Sequence, residues 1–146
     1  MSHWRQKAIE TFPQLHQAIA DAESAAWVWD VSRQALQDAY RRNPLNEKFV
    51  GDVYEYASWC LHHRSRDVRN AVIFWFYEGL CADSLLRPDM ARWISQADFD
   101  CPDFGWGLIL TDKNWLAFQQ EFSDRKAEAE GRASRNQRNK LKREAK

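Results

Sequence analysis

Glycine is scarce, with five in the whole chain. Loops that cradle phosphate need several glycines close together, so that backbone N–H groups can approach the anion. Neither GxxxxGK[ST] nor GxGxxG occurs, and GxSxG is absent too, which removes the commonest nucleotide-binding and serine-hydrolase readings. Four prolines leave room for long helices. The three cysteines, Cys60, Cys81 and Cys101, are odd in number, widely spaced and form no CxxC pair. A disulfide framework or a thiolate zinc site therefore has no basis. Reduced thiols are expected, with Cys60 and Cys81 acting as small hydrophobes in helices. The segment MSHWRQKAIETF lacks the apolar core of a secretory signal, and no apolar run reaches eighteen residues, the length a membrane helix needs. A soluble, cytoplasmic protein is expected. Histidine is also sparse: HExxH is absent, His3 and His16 stand alone, and His62 and His63 are neighbours. Adjacent helical positions diverge by about 100°, so this pair does not converge on one ion. No metal and no cofactor are expected.

What is abundant is helical, apolar and aromatic sequence. The 146 residues include eight Trp and eight Phe, and a chain this long forms one domain with a sizeable core. A first helix is expected from a Ser2 cap to Thr11, and a second from Pro13 to Glu23, with Leu15, Ala18, Ile19 and Ala22 at helical spacing. Over Ser24–Arg42 the stripe is Trp27, Val31, Ala35 and Leu36, widened by Val28 and Ala39. Asn46 caps a helix to His63, with Phe49, Val53, Tyr56, Ala57 and Cys60 on its apolar face. Asp67 is the expected cap of Val68–Asp83, which is apolar nearly all round and so is expected at the buried centre. A short helix follows from Pro88 to Ile94. Segment 95–110 carries Pro102, Gly105 and Gly107 without a clean period, and is expected as a loop with a short extended piece over Trp106–Leu110. Thr111 caps a last helix with Trp115, Phe118 and Phe122 on one face. The fold class is thus all-α: about six helices bundled around a central apolar helix over 68–83.

The net charge is zero, yet its distribution is uneven. Residues 123–146 hold nine Lys/Arg against four Asp/Glu, a net of +5 that leaves −5 on residues 1–122. A helical bundle domain over 1–122 and a basic tail over 123–146 follow, the tail being either a helix in water or an unordered segment.

Few residues suggest chemistry. Glu78 interrupts the most apolar helix, and is either an organising ion pair or hydrogen bond, or a charge exposed at one edge. Asp52 and Glu55 lie three apart on one helix face, with Trp59 sharing it. The segment 98–107 interleaves Asp98, Asp100 and Asp103 with Phe99, Phe104 and Trp106. These aromatics either lid the core or anchor a partner, while the carboxylates steer a basic surface. The spacing of the three aspartates does not match a calcium-binding EF-hand loop.

Phe12-Pro13, FVGDVYEYASWCL at Phe49–Leu61 and VRNAVIFWFYEGL at Val68–Leu80 together resemble a group of small bacterial all-helical proteins of the polymorphic-toxin immunity type. The resemblance spans roughly residues 12–95 and lies in helix-packing positions; the basic tail and the 98–106 segment fall outside it. It implies a stoichiometric inhibitor that binds and blocks a cognate toxin domain. The expectation is a non-enzymatic binding protein meeting a toxin through Asp52, Glu55, Trp59, Asp98, Asp100, Asp103 and Trp106. The alternative is a nucleic-acid-associated regulator acting through Arg132, Arg135, Arg138, Lys140, Lys142, Arg143 and Lys146.

Overall fold

Helix caps set the frame. Asn46 Oδ1 accepts from Phe49 N–H at 3.2 Å, and Thr111 Oγ1 accepts from Asn114 N–H at 3.3 Å, each satisfying a donor that has no partner within its own helix. The computed structural model describes all 146 residues and is helical without strands. The elements are α1 (His3–Thr11), a 3₁₀ turn (Pro13–Leu15) running into α2 (His16–Ala20), α3 (Ala25–Arg41) and α4 (Glu47–Leu61). Helix α5 covers 66–80. Then come the short α6 (Met90–Trp93), α7 (Gln96–Phe99) and α8 (Trp106–Ile109), and the long α9 (Asp112–Glu144).

The core has two aromatic centres. In the first, Trp29 of α3 lies between Tyr56 of α4 and Phe76 of α5, with ring centroids at 5.3 and 4.9 Å. Phe12 stands edge-on to Tyr56 at 5.4 Å, and the Tyr56 hydroxyl donates to the Trp4 carbonyl at 2.9 Å, fixing α1 on α4. In the second, Phe99 stacks on Phe122 at 3.8 Å and packs against Trp106 at 4.8 Å. Such pairs add about 0.5–1.5 kcal/mol each beyond the area they bury. Cys60 and Cys81 are buried as expected, and burial pushes the Cys60 thiol up to about 12.

Helix α3 is rotated relative to the expected stripe. Val28, Trp29, Ser32, Leu36 and Ala39 face the core, whereas Trp27 is 53% exposed. The buried Ser32 breaks the apolar periodicity and masks the true face. Helix α5 also departs from expectation: it starts after Ser65, not after Asp67, and is not buried all round. It contains a π-helical turn, Ile73–Tyr77, in which Glu78 N–H reaches back to the Ile73 carbonyl. The wider turn keeps Val72, Ile73, Phe76 and Tyr77 inside and turns Phe74 and Trp75 outward, at 60% and 54% exposure.

Segment 95–110 holds two short helices where a loop was expected. Ser95 caps α7 by accepting from Asp98 N–H at 3.1 Å, and the stretch expected to be extended at Trp106–Leu110 is α8. Glu78 takes the hydrogen-bond role: its Oε1 accepts from Gly105 N–H at 2.8 Å. A Cβ at Gly105 would stand 2.7 Å from that oxygen, which is why glycine fits there.

Asp83 joins α3 to the end of α5. One carboxylate oxygen accepts from Gln37 (2.8 Å) and Arg33 (3.2 Å), the other from the N–H groups of Leu85 (3.0 Å) and Leu86 (3.1 Å). Helix α9 docks by its first half only. Phe118 and Phe122 enter the core, Arg87 pairs with Glu121 at 2.6 Å, and Arg125 and Lys126 donate to the carbonyls of Pro88 and Ile94 at 2.8 and 2.7 Å. The helix continues without a break through the basic residues to Glu144.

Candidate functional site

Helix α4 presents its polar side between α1 and solvent. Asp52, Glu55 and Trp59 lie on this side at i, i+3 and i+7, and with Lys7 and Glu10 of α1 they line one cleft of about 260 Å³. The expected grouping of these three residues is therefore realised. Asp52 pairs with Lys48 at 2.7 Å, an exposed i,i+4 contact that contributes only about 0.3–0.5 kcal/mol and yields readily to another cation. Trp59 is half-buried: it stacks on Tyr56 at 5.9 Å and meets the rings of His3 and His63 at 5.2 and 4.9 Å. These rings hold the indole in place, and an aromatic side chain already ordered costs less to immobilise in a contact.

The four expected residues after position 95 divide. Asp100 is exposed and accepts from Gln96 at 3.1 Å, and Asp103 is exposed. Asp98 is buried, contrary to its expected place on the surface. Its Oδ2 accepts from Ser58 Oγ at 2.7 Å and its Oδ1 meets His62 Nε2 at 2.8 Å. A carboxylate supplied with these partners can leave water, so Asp98 is a strut between α7 and α4. Trp106 is fully buried, also contrary to an interface role. Its indole N–H donates to the Tyr77 carbonyl at 3.1 Å, and Phe104 covers Tyr77 at 4.7 Å. Of the two open readings for the 98–107 aromatics, the core lid holds for Phe99 and Trp106, with Phe104 half-buried beside them.

Ser58, His62 and Asp98 have the residue types of a hydrolytic triad without its order. The serine hydroxyl donates directly to the carboxylate, so His62 is not placed to withdraw its proton. His3, expected to be isolated, lies with its ring 6.1 Å from that of His63. These two, with Trp59, His62 and Arg64, line a cleft of about 460 Å³. The His63 ring accepts from Ser65 N–H at 3.0 Å. Burial, then the charges of His3, Arg64 and Arg69, hold its pKa below the usual histidine value. No set of three or more His, Cys, Asp or Glu side chains is arranged to hold a metal ion.

Sequence reasoning missed the exposure of Trp27, Phe74 and Trp75. A usable signal existed only for Trp27, because Val28, Leu36 and Ala39 already define a stripe that excludes it. Comparison with protein families, curated proteins and solved structures finds no match for this chain.

Proposed function

We propose that the chain is a non-catalytic binding protein that neutralises a cognate toxin domain by stoichiometric contact. The observation that carries this reading is the α1–α4 cleft, where three carboxylates, Asp52, Glu55 and Glu10, outnumber the two lysines, Lys7 and Lys48, and share the lining with an indole already fixed against Tyr56 and His3. A rigid aromatic bordered by carboxylates suits a basic protein surface: the indole supplies desolvated contact area, and the charges raise the encounter rate. The net charge of −5 on residues 1–122 acts in the same direction at longer range. A toxin that acts on an anionic substrate has a basic active site, and occupying that surface blocks it. The likeness of residues 12–95 to immunity-type proteins supports a toxin domain as the partner, and no helix is long and apolar enough to cross a bilayer.

Titration of the cognate toxin domain with the full chain and with the Asp52→Asn/Glu55→Gln/Trp59→Ala variant tests the reading. The substituted side chains are surface or half-buried, so the fold should persist; the circular dichroism spectrum checks this. Affinity is expected to fall at least tenfold, with slower association at low salt and faster dissociation from loss of the indole. Unchanged affinity in a folded variant would rule out this face.

A further inference from the structure

The basic half of α9 is not part of the face just described. Every residue from Glu130 to Lys146 is exposed, while the helix remains intact to Glu144. At 1.5 Å per residue this part is roughly 20 Å long; its start, to Asn136, borders an open cleft with Pro88, Asp89 and Arg92. The docked half seeds it: Phe118, Phe122 and the Arg125 and Lys126 contacts hold the first turns, so the arm extends a helix already nucleated.

Its charge is sorted by face. Successive residues turn by about 100°, which gathers Arg132, Arg135, Arg138, Lys142, Arg143 and Lys146 within an arc of about 140°. The opposite side carries Ala133, Ser134, Gln137, Leu141 and Glu144, together with one basic residue, Lys140. The ion pairs of the arm, Arg132–Glu128 and Lys140–Glu144, are both long, at 3.9 Å, and exposed. Like charges at i,i+3 and i,i+4 oppose an isolated helix, and a polyanion along the stripe relieves that repulsion.

The chemistry of the arm selects among polyanions. Leu141 is its one large apolar residue, so it lacks the apolar face that lets an amphipathic helix enter a lipid surface. It has no aromatic side chain on which an unpaired base could stack. The major groove of B-form DNA, about 12 Å wide, admits a helix, whereas that of duplex RNA is too narrow. We propose that residues 130–146 form a helical arm that binds double-stranded DNA through its phosphates without reading sequence. The acidic body confines contact to the arm, so DNA and a protein partner on the α1–α4 face can be held together.

The test uses the full chain and a fluorescently labelled duplex of about 20 base pairs, with anisotropy read from 50 to 200 mM salt. With about four phosphates contacted, the slope of log K against log salt is expected near −4. Two duplexes of unrelated sequence should bind alike. Arg135→Gln/Arg138→Gln/Lys142→Gln, all on exposed positions, should bring the slope near −1 and weaken binding at least tenfold at 50 mM salt, while toxin binding is unchanged. No binding by the natural chain at 50 mM salt, or an unchanged slope in the variant, would overturn the proposal. So would tighter binding to a single strand of the same length, or to phosphatidylserine vesicles.

Discussion

Trp106→Ala separates core from interface for the aromatic segment 98–107. Trp106 is fully buried, packed against Phe99, Phe104 and Phe118 at centroid distances of 4.8, 4.7 and 5.3 Å. Truncating a buried tryptophan costs about 3–5 kcal/mol through lost transfer energy and the cavity left behind. The Tyr77 carbonyl also loses its indole donor, and an unpaired buried acceptor costs about 1–3 kcal/mol. These two costs overlap, because water can reach a collapsing cavity, so about 4 kcal/mol is the expected total. For a chain of this size that lowers the melting midpoint by roughly 8–16 °C. Trp106→Phe keeps much of the ring and isolates the hydrogen-bond part, at about 2 kcal/mol. Urea unfolding followed by circular dichroism at 222 nm measures both without relying on the lost fluorophore. If Trp106→Ala unfolded within 1 kcal/mol of the natural chain yet lost partner affinity, the residue would be an interface anchor and the core assignment would fail.

Two further expectations concern pH and one concerns backbone space. Burial acts to raise the Asp83 carboxyl, but hydrogen bonds from Gln37, Leu86 N–H, Arg33 and Leu85 N–H outweigh it and hold the group below its usual value. Its stabilisation is therefore present above the unfolded carboxylate pKa near 3.8 and lost as pH falls below it, through the folded value. Asp83→Asn should flatten that part of the acid limb in urea titrations; an unchanged limb would contradict the assignment. His63 shifts in the same downward sense as a base, so the folded state resists its protonation. Stability should fall as pH drops below 6.5, and His63→Gln should lessen that fall. Gly105→Ala should cost about 1–2 kcal/mol in the same assay, because the new Cβ displaces the Glu78 carboxylate from Gly105 N–H; a neutral substitution would mean that this contact is dispensable.

Local chemistry was readable wherever a single side chain decides the outcome. Asn46 and Thr111 cap the helices expected of them, and the all-helical class follows from the periodicity and the few glycines. Position relative to the core was less readable where neighbours compete. Trp27 and Trp29 are equally apolar; the stripe of Val28, Leu36 and Ala39 turns away from Trp27, and the packing of Tyr56 and Phe76 around Trp29 completes the choice. The π-helical turn of α5 has no period of its own in sequence, so Phe74 and Trp75 pass for core residues. Asp98 looks like a surface charge because its partners, Ser58 and His62, lie forty and thirty-six residues away. The charge of the tail was plain from composition; its helical order depends on the docked half of α9, which is tertiary information.

Neutralisation is tested most directly by affinity capture with the tagged chain from a lysate of its source organism, with nuclease present throughout. The expected result is one protein recovered in stoichiometric amount and bearing a toxin domain, and lost when Asp52, Glu55 and Trp59 are substituted together. Recovery of no stoichiometric protein, or only of material that disappears on nuclease treatment, would contradict the neutralisation reading.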